Sequence, residues 1–182
     1  MMHGLWSNLF KGSSSRDDNR VLLKNTKIFT TLSKRQLDSV DRIVYKRFFE
    51  AGEPVFQQGD PGIGMYIIES GVICIAQMPD EHVLAELKAG DFFGEIALLN
   101  ETPRSASAIA KTDCSLLCVS QPDLLGLFKR DPKLGVKVLT ALSQITGQRV
   151  IQLDQDILNL HNQLEQLSTN GNGSAVEHQT ET

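Results

Sequence analysis

The sequence is poor in several features, and each shortage removes a class of protein. Its 18 basic and 22 acidic residues give a formal net charge of -4, so no overall positive field attracts a nucleic acid or an anionic membrane surface. We therefore expect no nucleic-acid partner. No apolar run reaches the roughly 18 residues that a membrane-spanning helix needs, and we expect no integral membrane segment.

Cysteine and histidine are also scarce. The three cysteines, Cys74, Cys114 and Cys118, are an odd number without Cys-x-x-Cys spacing, which argues against a disulfide framework and against a zinc site. The four histidines are scattered without the spacing of a metal site. We predict no metal and no cofactor, interpret the cysteines as buried and inert thiols, and expect a cytoplasmic location.

The spacing of apolar residues changes along the chain from helical to strand-like. Between Leu22 and Val44 it predicts two or three short helices, one of them opened by a capping box of Ser33 and Gln36. From about Phe48, short apolar runs alternate with Gly, Pro and Asp turn signals, which predicts an antiparallel roll of short strands. Its predicted interior contains Ile67, Ile73, Ile75, Leu84 and Leu116.

The predicted fold class is therefore α+β: an antiparallel, jelly-roll-like β-roll with helices before it and a long helix after it. Asp131 and Pro132 open that long helix, because proline at the first helical position sacrifices no hydrogen bond. The predicted segments are an N-terminal extension or linker at 1–19, the roll with its flanking helices at 20–130, the long helix at 131–168 and a disordered tail at 169–182.

The N-terminal extension carries a short apolar face, formed by Leu5, Trp6, Leu9 and Phe10. This spacing is typical of one side of a short helix. The face either folds back on its own domain or docks on a partner or a membrane, and the first alternative is favoured because one short turn binds weakly.

The long helix carries an apolar stripe with alternating spacings of three and four residues. In heptad notation β-branched residues occupy most a positions and Leu fills every d position, a pattern that favours a parallel two-stranded coiled coil. The alternative is that the stripe packs on its own domain. We predict a parallel homodimer through Val150, Leu153, Ile157, Leu160, Leu164 and Leu167, which we call the seam.

Two glycine-containing motifs stand in the predicted roll. The first, VFQQGDPGIGMYIIESG, covers 55–71, and the second, FGEIALLNETPRSASAIA, covers 93–110. Together they resemble the two halves of the cyclic-nucleotide-binding domain family, which includes catabolite-activator-type regulators, kinase regulatory subunits and gated channels. The resemblance implies a β-roll that binds a cyclic nucleotide rather than an enzyme.

The second motif has its own chemical logic. Gly94 allows a close approach of the backbone to a ligand, and Arg104 supplies a planar, permanently charged fork that suits a phosphate. An ionised carboxylate only accepts hydrogen bonds, so Glu95 needs a donor on the same ligand. A cyclic ribose phosphate offers both an anion and a 2′-hydroxyl, whereas the bland alternative is a surface ion pair between Glu95 and Arg104.

The resemblance distributes the ligand over the motif as follows. Gly94 and Glu95 hold the ribose, while Arg104, the Ser105 hydroxyl and the Ser105 and Ala106 amides hold the phosphate. The adjacent Ile96 and Ala97 complete the predicted ligand-binding set in this stretch.

Two residues outside the motif are further candidates. Met65 either reaches the ligand's sugar or base or packs in the core. Arg149, on the long helix, either covers the base or flanks the seam at a g position. An Arg149 donor together with Ser105 suits guanine, so the ligand is expected to be cyclic AMP or cyclic GMP.

The expected function is that of a sensor whose ligand rearranges the long helix and the dimer for an unidentified protein partner. Only a short polar stretch follows the long helix, so no DNA-binding domain is expected there. One alternative is a dimeric scaffold of the same fold that binds no ligand. Another is a cupin-type enzyme, which is disfavoured because the roll offers a single histidine, His82.

Overall fold

The computed structural model describes residues 16–80, 82–96 and 102–173 of the chain. The chain divides into two compact units, residues 1–141 and residues 142–182. The first unit contains the β-roll, the short helices and the start of the long helix, and the second contains the rest of that helix. The apolar face predicted around Trp6 lies outside the described residues.

The helices surround the strands in sequence as predicted, with differences at their ends. A capping box at Ser33 opens the second helix, where the Ser33 hydroxyl accepts from the Gln36 amide and the Gln36 side chain accepts from the Ser33 amide. The first helix begins at Arg16, within the segment predicted as an extension or linker at 1–19. The helices are α1 (Arg16–Asn25), a 3-10 turn (Lys27–Phe29), α2 (Lys34–Asp41), α3 (Gln121–Arg130) and α4 (Pro132–Gly173).

The strands form two antiparallel four-stranded sheets, with the orders β1-β8-β3-β6 and β2-β7-β4-β5. Non-consecutive strands are neighbours in both sheets, as in the predicted roll. This arrangement brings strands that are distant in sequence side by side. The strands are β1 (Val44–Phe49), β2 (Pro54–Phe56), β3 (Gly64–Ser70), β4 (Val72–Gln77), β5 (His82–Lys88), β6 (Phe92–Phe93), β7 (Ser107–Ala110) and β8 (Cys114–Ser120).

The main core lies between the inner faces of the two sheets. On β3 and β8, Tyr66 pairs with Cys118 and Ile68 with Leu116, and all of these residues belong to one buried cluster. Opposite them, β7 contributes small alanines, so that aromatic and branched side chains have room to interdigitate. The cluster consists of Phe49, Val55, Tyr66, Ile68, Ile73, Phe93, Ala108, Ala110, Cys114, Leu116 and Cys118.

The outer face of the first sheet is buried as well. Met65 pairs with Val119 and Ile67 with Leu117, and each of the four is at most 1% exposed. Successive side chains of a strand point to opposite faces, so this second apolar layer faces away from the core between the sheets. Buried residues of the first unit's helices include Leu23, Ile28, Phe29, Val40, Leu124 and Leu127.

Two details of the predicted strands were wrong. Val44 was assigned to a helix but begins β1, because its alternating segment pairs with β8. Leu84 was placed in the interior but is 52% exposed. It lies on β5, at the end of its sheet, where the register shifts between the pairs Ile75–Ala85 and Ala76–Val83.

The predicted cysteine environment is largely confirmed. No cysteine is in a disulfide among the described residues; Cys114 and Cys118 are buried, and Cys74 is half-buried. Burial raises the pKa of the Cys118 thiol to about 12, so this thiol stays protonated at neutral pH.

The second unit is helical up to Gly173 and exposes the seam. The helix therefore continues past the end predicted near Leu167, into the segment predicted as a disordered tail. In the isolated chain every seam residue is between 52% and 70% exposed. A contiguous apolar stripe of this kind marks an interaction surface.

Candidate functional site

The main chain at Arg104 is tied to the loop that follows β2. The Gly59 amide donates to the Arg104 carbonyl at 2.9 Å, and the Arg104 amide donates to the Asp60 carbonyl at 2.9 Å. The loop itself is closed by Asp60, whose carboxylate accepts from the Gln57 amide at 2.7 Å. The two sequence motifs thus meet at Arg104, and the first motif fixes the position of the second.

The Arg104 side chain points inward and is only 7% exposed. Its Nη1 donates to the Gly94 carbonyl at 3.0 Å, and its Nη2 donates to the Gly64 carbonyl at 2.7 Å. The guanidinium carbon lies 4.0 Å from the centre of the Phe56 ring. Nε is buried and has no hydrogen-bond partner among the described residues. A buried guanidinium thus retains a donor for a further acceptor.

The charge of Arg104 is held in an unfavourable environment. Burial lowers the pKa of Arg104 from its ordinary value of 12.5, whereas Tyr66, Asp60 and Glu95 favour the charged form. An arginine remains protonated at neutral pH in any protein environment. The site therefore contains a desolvated cation whose two hydrogen bonds above go to neutral carbonyls, and an anionic ligand would interact with it strongly.

Gly94 and Glu95 follow strand β6, which pairs with β3 through Phe93 and Tyr66. Gly94 has a φ of 75°, a conformation that favours glycine, and a Cβ there would lie 2.7 Å from Arg104 Nη1. Glu95 is 6% exposed. Because Glu95 and Arg104 are both buried, an interaction between their charges would not be the solvent-exposed ion pair of the bland alternative. The structure brings the predicted carboxylate and guanidinium together in one buried site.

The guanidinium lies near the Phe56 and Tyr66 rings, which pack with Phe93 in a cluster of three aromatic rings, and the sequence did not assign these rings to the site. The Tyr66 and Phe93 rings stack with centroids 5.2 Å apart, and the Phe56 ring lies 5.8 Å from Tyr66 and 5.9 Å from Phe93. Such a surface favours a planar cation by cation–π interaction. The available signal was the position of Phe56, immediately before the Gln-Gln-Gly-Asp loop whose main chain is hydrogen-bonded to Arg104.

The other predicted site residues have different surroundings. Ile96 and Ser105 are exposed, and Ala106 is buried. Ala97 lies outside the described residues. Arg149 belongs to the second unit, which is described by itself.

Met65 is not brought to this site. It precedes Tyr66 on β3, and Tyr66 faces the core between the sheets, where the guanidinium lies 6.0 Å from its ring. The Met65 side chain therefore points to the opposite face of the sheet. Its predicted alternative, core packing, agrees with its complete burial.

The described part of the chain shows neither a metal-binding cluster nor a membrane-spanning helix. Within 16–80, 82–96 and 102–173, no group of three or more His, Cys, Asp or Glu side chains is arranged to hold a metal ion. In that part of the chain no helix is both long enough and apolar enough to cross a bilayer.

Two facing antiparallel sheets, with a glycine-containing turn and a buried arginine between them, define a ligand-binding β-roll. Residues 46–131 match the family model described as "Cyclic nucleotide-binding domain". This part of the chain belongs to the cyclic nucleotide-binding domain family, as the motifs predicted.

Similar proteins include both regulators and solved domains. A cyclic AMP receptor protein of Thermus thermophilus is 32% identical over 135 residues, which cover 72% of this chain and 62% of that protein. A cAMP-dependent protein kinase regulatory subunit of Hypocrea atroviridis is 33% identical over 122 residues, covering 63% of this chain and 26% of the subunit. The chain thus spans less than two thirds of either relative.

The fold has a counterpart of similar size among solved structures. The crystal structure of a cyclic nucleotide-binding domain from Methylobacillus flagellatus superimposes with a TM-score of 0.67 at 25% identity. The match covers 79% of this chain and 83% of that domain. This similarity confirms the predicted β-roll with its helices.

Proposed function

We propose that this chain is a regulatory sensor that binds 3′,5′-cyclic AMP at the buried site of Arg104 and Glu95. The observation that carries the proposal is the juxtaposition of a buried guanidinium, with its Nε unpartnered among the described residues, and a buried carboxylate. The first group calls for an anion and the second for a hydroxyl donor. The names of the two relatives, both of which refer to cyclic AMP, support the choice of base.

The phosphate is proposed to bind at the start of β7. Arg104 offers its Nε, and the main chain at Ser105 and Ala106 offers amides next to it. The exposed Ser105 hydroxyl is a further donor or acceptor at the mouth of the site. Charge-assisted hydrogen bonds of this kind are about twice as strong as neutral ones, so the phosphate contributes most of the polar binding energy.

The ribose is proposed to lie over Gly94 with its 2′-hydroxyl donating to Glu95. A glycine at this position leaves the backbone open to close approach. The exposed Ile96 side chain is proposed to contact the sugar or base, together with Ala97 of the same segment. The proposed action is binding and regulation, without chemistry on the nucleotide.

Cyclic GMP is the second candidate ligand. The observation that favours it is the exposed Ser105 side chain, because a hydroxyl accepts a hydrogen bond from the guanine amino group. Direct competition between the two nucleotides separates these candidates.

Ligand binding is proposed to be relayed through α4 to a parallel homodimer and from there to a protein partner. The exposed seam supports this part of the proposal, because two copies would bury its apolar side chains against each other. The contrasting function is a scaffold of the same fold that dimerises without a ligand.

Isothermal titration calorimetry of the full chain tests the ligand. We expect saturable binding of cyclic AMP, weaker binding of 5′-AMP and none of adenosine, since only the nucleotides carry a phosphate. Arg104→Lys keeps the positive charge but loses the planar fork, and Glu95→Gln keeps the shape but loses the carboxylate. Each substitution should weaken the binding of cyclic AMP at least about tenfold, which corresponds to about 1.4 kcal/mol of binding free energy.

The two variants separate the parts of the ligand. Because Glu95→Gln acts on the ribose, it should leave the preference between cyclic and linear phosphate unchanged. Absence of heat with cyclic AMP and with cyclic GMP, in a chain that still dimerises, would favour the scaffold instead.

A further inference from the structure

The charged side chains that flank the seam occupy specific heptad positions. With Val150 at a and Leu153 at d, Arg149 is at g and Asp154 is at e. One heptad later, Asp156 is at g and His161 is at e. All four are exposed, as residues at these positions are in an unpaired helix. The e and g positions set partner choice and orientation in coiled coils.

In a parallel, in-register pair of helices, each g residue faces the e residue five positions later on the second helix. Arg149 of one copy then faces Asp154 of the other, and by symmetry the contact occurs twice. Asp156 faces His161 in the same way. Neither juxtaposition places like charges together, so a parallel dimer is electrostatically self-complementary.

The antiparallel alternative loses the arginine contact. In an antiparallel pair, a residues meet d residues, so that Val150 meets Leu167 of the second copy and Leu153 meets Leu164. Arg149 then lies at the far end of the coil from Asp154 of the second copy, displaced from it by about 14 residues. At 1.5 Å per residue this is roughly 20 Å along the axis, beyond any direct contact. Arg149 therefore distinguishes the two orientations.

The pairing residues are also held locally. The Asp156 carboxylate accepts from Gln152 Nε2 at 3.0 Å, and His161 Nε2 lies 3.2 Å from a Glu165 carboxylate oxygen. These contacts join residues one helical turn apart and keep the flanking side chains along the edge of the seam.

We propose that the Arg149–Asp154 pair fixes the second copy of the chain parallel and in register. This inference rests on the proposed parallel homodimer and adds the residues that determine its orientation and register. Two roles were expected for Arg149, covering the base of the nucleotide or flanking the seam. The proposal assigns Arg149 to the flank of the seam.

Sedimentation equilibrium of the full chain, at matched ionic strength, tests the pair. Arg149→Glu replaces two attractive contacts by two repulsive ones and should weaken the dimer by roughly five- to thirtyfold, given the strength of exposed ion pairs. The double variant Arg149→Glu with Asp154→Arg restores opposite charges and should recover most of that loss. Gln155→Glu is the control, because position f lies on the side of the helix opposite the seam. It should leave the dissociation constant of the dimer unchanged.

Cysteine cross-linking reports the orientation directly. In a Cys74→Ser background, Leu153→Cys should form a disulfide-linked dimer by itself, because d residues of a parallel pair meet their own counterparts. An antiparallel pair would instead cross-link only when Leu153→Cys chains are mixed with Leu164→Cys chains. That result would overturn the inference, as would an Arg149→Glu variant that dimerises normally and loses cyclic-nucleotide affinity. A monomeric wild-type chain would instead contradict the proposed homodimer itself.

Discussion

Gly94 offers a sharp test of the buried site that needs no ligand. A Cβ at this position meets Arg104 Nη1 at 2.7 Å and the Gly64 carbonyl oxygen at 3.3 Å, on a backbone with a φ of 75°. Gly94→Ala therefore imposes two costs, strain of the left-handed backbone and displacement of the guanidinium. The strain is about 1–2 kcal/mol for a residue with a Cβ. Loss of the hydrogen bond from Arg104 adds about 1.5–3 kcal/mol.

Gly90 provides the matched control. It has a φ of 91°, but a Cβ there meets nothing within 4 Å, so Gly90→Ala carries the strain alone. We expect a loss of unfolding free energy of about 1–2 kcal/mol for Gly90→Ala and of about 2.5–5 kcal/mol for Gly94→Ala. The measurement is equilibrium urea unfolding followed by far-ultraviolet circular dichroism, with midpoints compared at constant slope.

A double-mutant cycle assigns the difference to the arginine. In an Arg104→Ala background the obstructing Nη1 is absent, so Gly94→Ala should cost only the backbone strain and whatever its 3.3 Å contact with the Gly64 carbonyl oxygen adds. Equal losses at the two glycines, or an undiminished cost of Gly94→Ala without the arginine, would refute the geometry described for the site.

Three further predictions concern the fold. Ile73→Ala, at a fully buried position, should lower the free energy of unfolding by about 2–5 kcal/mol. Leu84→Ala, at an exposed position, should change it by no more than about 0.5 kcal/mol. Equal urea midpoints for the two variants would contradict this difference. Ser107→Ala removes the oxygen that accepts from the Gln58 amide at 2.9 Å and should lower the free energy of unfolding by about 1 kcal/mol, while Ser107→Thr retains the acceptor. Hydrogen bonds, the amide at the start of α4 first among them, lower the pKa of Asp131 from 3.8. Its contribution to stability is therefore present above pH 3.8 and is lost as the pH falls through the lowered native value. Asp131→Ala should flatten that part of a stability-against-pH curve, and an unchanged acid limb would show that the carboxylate is not involved.

The sequence predicted those parts of the fold that have a local cause. Six of the eight strands follow from turn residues between apolar runs, and the capping box follows from two side chains three residues apart. Val44 was misassigned because helical spacing continues through it, and only pairing with β8 makes it a strand. Leu84 fits an alternating pattern, but its strand pairs on one side only and shifts its register there.

The sequence predicted the two charged residues of the candidate site but not the groups that surround them. Arg104 and Glu95 could be chosen because their motif resembles that of the family, and because a guanidinium suits a phosphate and a carboxylate suits a hydroxyl donor. The Phe56 ring and the Gly64 carbonyl act only through contacts between strands far apart in sequence. Which face of β3 points toward the site also depends on strand pairing, so the sequence alone left Met65 open between ligand contact and core packing.

The two buried thiols of β8 can report how often the roll opens. Cys114 and Cys118 belong to the core between the sheets, on a strand with neighbours on both sides, so a thiol reagent reaches them only when the sheets separate. Their alkylation rate under native conditions then measures how often the roll opens. A compound that binds only the closed roll lowers the alkylation rate by a factor. This factor is one plus the ratio of the compound's concentration to its dissociation constant. Ligands can thus be screened by measuring alkylation with mass spectrometry, without a prior label or a substitution in the chain.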